Sequence, residues 1–158
     1  MGAGSWGTAL SVAVADRGLE VTLYGNEDDV RDDINANNQN SKYLPGVDLP
    51  TNIGATTDIS EIINAPLILM VVPSQVARLV LTQLKEAGVS EDTIILSCTK
   101  GIDPNSMMLM HATIQDVLPN NPVAVLSGPS HAEEVARRLA TLATVGAEDQ
   151  RVSSCNNK

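Results

Sequence analysis

Three glycines near the start of the chain have the spacing of a phosphate-binding turn. Gly2, Gly4 and Gly7 form the pattern G-x-G-x-x-G, and an apolar stretch with helical spacing follows them. In such a turn the first glycine permits a tight bend, the second lets the backbone approach a pyrophosphate, and the third lets the helix pack closely. The helix start presents N–H groups and a positive dipole end to the phosphates. The pattern predicts a dinucleotide site, with a purely structural turn as the alternative.

Polar residues at the ends of later apolar runs are candidates for contacts with a ligand. Lys100 lies between a buried run and a glycine, where its ammonium can hold a phosphate or a substrate hydroxyl; the alternative is a surface lysine. Ser74 is expected to cap the next helix, and a contact with the cofactor groove is the additional role that stays open for it. The turn from Gly128 to Ser130 can offer N–H groups to substrate oxygens, or Ser130 can form a capping box with Glu133.

The cofactor preference is open at this stage. A dinucleotide fold of this kind carries an acidic residue for the ribose of NAD, or an arginine for the phosphate of NADP, after its second strand. Here Asn26 and Glu27 occupy that region, so neither rule is met cleanly. Arg31 is expected to pair with Asp28 or Asp29 on a solvated helix face.

Composition limits the number of domains and the kinds of partner that the chain can have. The 158 residues suit one domain, and 43% are hydrophobic with no Phe, so aliphatic side chains must fill the core. A formal charge of -9 argues against a nucleic-acid partner or an anionic membrane, and the longest apolar run, residues 67–72, is too short to span a bilayer. Cys98 and Cys155 lack the spacing of metal ligands. They are expected to be reduced thiols of a cytoplasmic protein, with no metal bound.

Apolar runs alternate with amphipathic stretches along the chain, which predicts an α/β fold with a doubly wound, mostly parallel sheet of the Rossmann type. Ligands in such folds lie at the carboxyl ends of the strands. The predicted strands cover residues 20–24, 52–56, 67–72, 93–98, 123–127 and 141–145. The predicted helices begin after the glycine turn, where Gly18 is the expected C′ residue, and then cover residues 26–35, 75–87, 105–117 and 130–138, with a short one after Asp58.

The strand that should precede the glycine turn is not in the sequence, because only Met1 stands before Gly2. That strand would be central to the sheet, and its absence would leave two strand edges with unpaired backbone groups. The expectation is therefore that residues 1–158 form a dinucleotide-binding domain that is incomplete at its N-terminus.

Six short motifs, in order along nearly the whole chain, resemble the bacterial-type NAD(P)-dependent glycerol-3-phosphate dehydrogenases. They are GAGSWGTAL at residues 2–10, YLPG at 43–46, VPSQ at 72–75, TKGI at 99–102, LSGPS at 126–130 and AEEVA at 132–136. The resemblance implies a Rossmann domain followed by a helical substrate domain. It also implies interconversion of sn-glycerol 3-phosphate and dihydroxyacetone phosphate by hydride transfer with NAD or NADP, which supplies phospholipid precursors.

The resemblance also implies roles for individual positions. Lys100 matches a lysine that contacts both cofactor and substrate, and the other matching substrate positions are Gly128 and Ser130. The remaining cofactor positions that match are Gly2, Gly4, Ser5, Trp6, Gly7, Asn26, Pro73 and Ala132. Asn26 stands where many members have a basic residue, and Arg138-Leu139-Ala140-Thr141 replaces a usual Gly-x-Pro-Thr.

The family's proton-accepting lysine and its substrate domain would lie beyond residue 158, so the 158 residues alone are expected to be inactive. The full-length form could be a homodimer. Two other hypotheses stay open: a dinucleotide-binding fragment without catalysis, and a related Rossmann reductase of the ketopantoate or phosphogluconate type.

Overall fold

A computed structural model describes residues 1–128, 130–148 and 152 of the chain. The helices are α1 (Ser5–Ala15), α2 (Asp28–Asn37), α3 (Ser74–Glu86), α4 (Met110–Val117) and α5 (Ala132–Ala136), with a 3-10 helix at Ile59–Glu61. The strands are β1 (Val21–Tyr24), β2 (Ile53–Thr56), β3 (Leu67–Met70), β4 (Ile94–Ser97), β5 (Val123–Ser127) and β6 (Thr144–Ala147).

The first of two compact units contains Met1–Asp58 and Gly128–Ala143. Its strands β1 and β2 pair in parallel, with Tyr24 opposite Thr56 at their carboxyl ends. Helix α1 buries Ala9 and Val12 in a core that also contains Leu23 and Ile34. Helix α5 packs on α1 and adds Ala136 to the same core. This packing fixes the start of α1 beside the end of β1.

The second unit contains Ile59–Ser127 and the described residues from Thr144 on. Its sheet has the order β3-β4-β5-β6, in which β6 runs antiparallel to β5 and the other pairs are parallel. Helices α3 and α4 pack against each other, burying Leu81 and Ile114 completely. Strand β3 buries Ile68 and Met70, whereas Leu67 at its start is 43% exposed.

The alternation of strands and helices confirms the predicted Rossmann-like class, while several boundaries differ. The helix predicted over 105–117 begins only at Met110, because Asp103 accepts hydrogen bonds from the Asn105 N–H and the Ser106 hydroxyl and holds a turn there. The last strand begins at Thr144 rather than at residue 141. Similarly, β3 ends at Met70, two residues before the predicted end, and α2 lies two residues later than predicted.

The predicted helix caps also differ. Pro73 is the N-cap of α3, so Ser74 is its first helical residue rather than its cap. The N-cap of α5 is His131, and no side chain caps it, so the capping box of Ser130 and Glu133 does not form. The Ser130 N–H instead bonds the Gly128 carbonyl, 3.1 Å away, which keeps Ser130 outside the helix.

Among the described residues, two helices end in a Schellman motif, and one of them lacks the glycine that usually occupies its left-handed residue. After α3 this residue is Gly88, with φ of 84°. After α5 it is Arg138, with φ of 60°, at a position where the resemblance leads one to expect glycine. The Arg138 guanidinium makes an ion pair with Asp16 at 2.7 Å. Gly18 also has a positive φ, but it lies two residues after the α1 C-cap, Asp16, and is not the C′ residue.

Within the described residues, no helix has the length and apolar character that crossing a membrane requires. The same residues contain no group of three or more His, Cys, Asp or Glu side chains placed to bind a metal ion. Cys98 is a buried free thiol whose pKa is raised to about 12 by desolvation. Cys155 lies outside the described residues.

Candidate cofactor-binding site

The glycine turn, residues 2–7, lies directly against the carboxyl end of β1. Gly2 adopts φ of 104° and donates its N–H to the Tyr24 carbonyl at 2.8 Å. A Cβ on Gly25 would lie 2.9 Å from the Cβ of Ala3, so the close approach requires glycine at position 25 as well. The structure thus brings the predicted turn to the strand end where a dinucleotide fold binds its ligand.

The start of α1 has the features that an anionic group requires. Gly4 is the N-cap, so no side chain caps α1, and no atom of the described residues lies within 4 Å of a Cβ placed at Gly4. The first turn, which includes Ser5 and Trp6, therefore begins beside open space. Backbone N–H groups of a first helical turn have no partner within the helix. Since these groups and the helix dipole favour anions, the residues present fit a pyrophosphate.

Asn40, which the sequence analysis did not single out, ties this turn to the loop after α2. Its side chain is 1% exposed, and its Nδ2 donates to the Ala3 carbonyl at 2.9 Å and to Thr8 Oγ1 at 2.8 Å. Thr8 Oγ1 in turn donates to the Gly4 carbonyl at 2.9 Å. Nothing in the local sequence distinguishes Asn40 from its neighbours, since residues 35, 37 and 38 are also asparagines.

Asn26 and Glu27 follow β1 on the same side of this unit as the glycine turn. Asn26 is exposed. Glu27 accepts hydrogen bonds from Lys42 Nζ at 2.6 Å and from the Tyr43 hydroxyl at 2.7 Å. The Lys42 ammonium, followed by the Tyr43 hydroxyl, lowers the pKa of Glu27.

Arg31 pairs with Asp28 at 2.6 Å, as expected, and its second carboxylate partner is Asp32 at 2.7 Å. Asp29, the other predicted partner, pairs instead with Lys42 at 3.1 Å.

The predicted substrate turn lies in the first unit too. A Cβ at Gly128 would lie 2.5 Å from the Leu142 carbonyl oxygen and 3.0 Å from the Ala143 Cα. Gly128 is therefore required for the packing of these two backbone segments. Ser130 is 6% exposed, and Ala132 opens α5 and packs on the core shared with α1. Pro129, between them, lies outside the described residues.

Pro73 and Lys100 belong to the second unit, where the ends of β3 and β4 meet. Thr99 Oγ1 lies 2.9 Å from the Val72 carbonyl oxygen and 3.2 Å from that of Met70, so it joins the two strand ends. Gly101 has φ of 100°, and a Cβ there would lie 3.5 Å from Ser74 Oγ. The structure therefore brings together Pro73-Ser74 and Lys100-Gly101, and Lys100 itself is exposed.

An ionic cluster fixes the loop after Lys100. Asp103 is 1% exposed and pairs with Arg78 Nε at 2.9 Å, while Arg78 Nη1 pairs with Asp116 at 2.6 Å. The Ser106 hydroxyl, followed by the Arg78 guanidinium and the Asn105 N–H, lowers the pKa of Asp103 to about 2. We call residues 99–103 the Lys100 corner, and Arg78 and Ser106 support it. Asp103 was missed because one aspartate in a polar loop is not distinctive.

The fold and the glycine turn define a Rossmann-type dinucleotide-binding protein, and comparison with known proteins narrows that class. A sequence model described as "NAD-dependent glycerol-3-phosphate dehydrogenase N-terminus" matches residues 1–153. The chain belongs to this family. The predicted resemblance is thereby confirmed, as is NAD or NADP as the cofactor class of the family.

Individual relatives agree with this family assignment. A glycerol-3-phosphate dehydrogenase [NAD(P)+] of Bacillus cereus (strain G9842) is 41% identical over 152 residues, which cover 94% of this chain and 44% of the relative. The glycerol-3-phosphate dehydrogenase of Coxiella burnetii superposes with a TM-score of 0.90 at 36% identity, covering 98% of this chain and 47% of that one. The Plasmodium falciparum enzyme gives a TM-score of 0.88 at 34% identity, covering 96% and 46%. The chain thus spans less than half the length of these relatives.

Proposed function

We propose that this protein supplies the cofactor-binding part of a glycerol-3-phosphate dehydrogenase, which interconverts sn-glycerol 3-phosphate and dihydroxyacetone phosphate with NAD or NADP. One observation carries the proposal: the G-x-G-x-x-G turn of a family member leads into a helix whose N-terminus has no capping side chain and faces open space at Gly4. Such a helix start attracts diphosphate.

In this proposal the pyrophosphate lies over Gly4, with the backbone N–H groups near Ser5 and Trp6 directed at its oxygens. Gly2 and Gly7 shape the turn, and Asn26, Pro73 and Ala132 are further cofactor contacts. The cofactor supplies the hydride chemistry. The contribution of the described residues is to hold and orient it.

Substrate contacts are assigned to Lys100, Gly128 and Ser130. An ammonium at a strand end can bind a phosphate oxygen as a point charge, which suits both substrates. The exposed Lys100 side chain and the rigid support behind it favour this role. The proton-accepting lysine and the substrate domain are assigned to sequence outside residues 1–158.

A dinucleotide-binding module without catalysis is the second candidate function. It rests on the same observation, the start of α1 without a capping side chain at Gly4, because that feature would bind a dinucleotide whether or not turnover follows. Assays of dihydroxyacetone phosphate reduction separate the two candidates. From the 158 residues alone we expect cofactor binding without turnover.

Replacing Gly4 tests the cofactor site directly. Gly4 has an ordinary extended backbone, with φ of −74°, and open space where a Cβ would lie. Gly4→Val should therefore fold with only a small fall in the thermal midpoint, because valine is a poorer N-cap than glycine, while its side chain occupies the space proposed for the pyrophosphate. Titration of NADH against Trp6 fluorescence should show affinity at least about tenfold weaker.

The matched control is Gly146→Val, because Gly146 also has open space at its Cβ position and no positive φ. It should bind NADH like the parent protein. Unchanged affinity in Gly4→Val, or no response of the folded parent protein to either cofactor, would refute the proposed site.

The metabolic role, the cellular compartment and the oligomeric state belong to the same proposal. The reaction would supply phospholipid precursors in the cytoplasm, where a reduced buried thiol such as Cys98 is expected. A homodimer of the full-length form stays a prediction, to be checked by light scattering.

A further inference from the structure

We propose that the adenosine end of the site selects NAD over NADP, with Glu27 as the specificity-determining residue. The inference rests on the proposed function, since it concerns the same dinucleotide site. It concerns only the surroundings of Glu27, Lys42 and Arg31 in the first unit.

Glu27 lies where a dinucleotide-binding fold contacts the adenosine ribose. It follows the end of β1 and is the N-cap of α2. The glycine turn is bonded to that strand end through the Gly2 N–H and the Tyr24 carbonyl. In dinucleotide folds an acidic residue about 20 positions beyond the glycine motif accepts a hydrogen bond from the ribose 2′-hydroxyl. Glu27 satisfies this spacing from Gly7.

The Glu27 carboxylate is held in place and can still accept a further hydrogen bond. Lys42 binds Oε1 and the Tyr43 hydroxyl binds Oε2, so the side chain is fixed from the loop after α2. Each bond uses one acceptor position of a group that offers about four. With 35% of the side chain exposed, a ribose hydroxyl can reach the remaining positions.

The two cations of residues 26–43, Lys42 and Arg31, are already paired. Lys42 lies between Glu27 and Asp29, and its ammonium is also 5.6 Å from the centre of the Tyr43 ring. Arg31 lies between Asp28 and Asp32 and also donates to Thr57 Oγ1 at 3.1 Å. Binding the 2′-phosphate of NADP would require one of these cations to leave its carboxylates.

The net negative charge around Glu27 also disfavours the 2′-phosphate of NADP. Residues 26–43 contain five carboxylates and two cations, and the residue at the usual basic position is the neutral Asn26. The pKa values of Glu27 and Asp29 are lowered, chiefly by hydrogen bonds from Lys42, so both are ionised at neutral pH. A phosphate of about two negative charges would therefore enter a net negative environment, whereas a hydroxyl would donate to Glu27.

Paired titrations of the parent chain with NADH and NADPH, followed by Trp6 fluorescence, test the inference. We expect NADH to bind about tenfold more tightly or better. Glu27→Gln keeps the shape of the side chain, removes its charge and frees Lys42 from one partner. It should weaken NADH binding and strengthen NADPH binding, so that the preference falls about tenfold.

Glu20→Gln is the matched control, because it makes the same change at the exposed residue just before β1, at the other end of that strand. It should leave the preference unchanged. Equal binding of the two cofactors by the parent chain, or an equal response of the two variants, would overturn the inference and leave the proposed function intact. Binding of neither cofactor would instead remove the proposed function.

Discussion

The glycine turn and the Lys100 corner are supported in different ways. The glycine turn is fixed by neutral groups: the main-chain bond from Gly2 to β1, the buried amide of Asn40 and the Thr8 hydroxyl. The Lys100 corner is fixed by the hydroxyl of Thr99 and by a buried carboxylate, Asp103, bonded to Arg78. Each region has little regular structure of its own, so side chains from elsewhere determine its position.

The two kinds of support follow from the groups that each region offers to a ligand. A turn that receives a diphosphate relies on N–H groups, and a carboxylate behind it would oppose that ligand. A corner that presents a lysine can be supported by an ion pair, provided that the buried carboxylate is fully bonded. The stability of the Lys100 corner should therefore depend on pH, and that of the glycine turn should not.

The largest effect is expected from a charge placed behind the glycine turn. Asn40→Asp would replace the Nδ2 donor with a carboxylate oxygen facing the Ala3 carbonyl, in a site that is 1% exposed. Burying this charge should cost about 3 kcal/mol or more, because one carboxylate oxygen would face the Ala3 carbonyl oxygen and the Tyr43 N–H, 3.2 Å from Oδ1, compensates only part of the desolvation. Denaturant unfolding should show this loss.

The control for this variant is Asn64→Asp, which makes the same change at an exposed residue of a turn. It should alter the free energy of unfolding by less than about 0.5 kcal/mol. Equal effects of the two variants would mean that Asn40 does not support the turn.

A smaller effect, with a distinct pH dependence, is expected at the Lys100 corner. Asp103→Asn would place an amide donor against groups that donate to Asp103: the Arg78 guanidinium, the Ser106 hydroxyl and the Asn105 N–H. The thermal midpoint should fall by about 5 °C at pH 7. Asp116→Asn, at the exposed partner of Arg78, should cost clearly less.

The pH dependence follows from the pKa of Asp103, about 2 in the folded protein, against about 3.9 in an unfolded chain. Because the folded value is lower, the stabilisation is fully present above about pH 4 and is lost as the pH falls through 2. The deficit of Asp103→Asn relative to the parent should therefore be constant near neutrality and shrink between pH 4 and pH 2. A deficit that does not change over this range would contradict the assignment.

The glycine turn and the fold class could be predicted from the sequence, because both leave local patterns in it. Gly2, Gly4 and Gly7 could be recognised because backbone geometry restricts those positions to glycine, and a fixed spacing is visible in one sequence. The alternation of apolar and amphipathic runs gave the Rossmann class for the same reason, since strand and helix periods are local.

Long-range contacts could not be predicted in this way. Asn40 reaches Ala3 across the loop after α2, and Arg78 reaches Asp103 from a different helix, so no local pattern marks either pair. The start of α4 was misplaced for a related reason, because Asp103 holds a turn where propensity alone favoured a helix. Gly25 differs from these, since a glycine directly after a strand and beside a predicted glycine turn is a usable signal of close packing.

The smallest effect should come from the hydroxyl that joins β3 to β4. Thr99→Val keeps the shape of the side chain but removes the donor to the Val72 carbonyl, which should cost about 1 kcal/mol. Thr99→Ser keeps the donor and should recover most of that loss. Amide hydrogen exchange at Lys100 and Gly101 should be faster in the valine variant and near the parent rate in the serine variant, because the hydroxyl holds this corner against β3. If instead the valine variant keeps the parent rate and the serine variant exchanges faster, packing of the Thr99 methyl group positions Lys100, and the two regions differ only in the Asp103 ion pair.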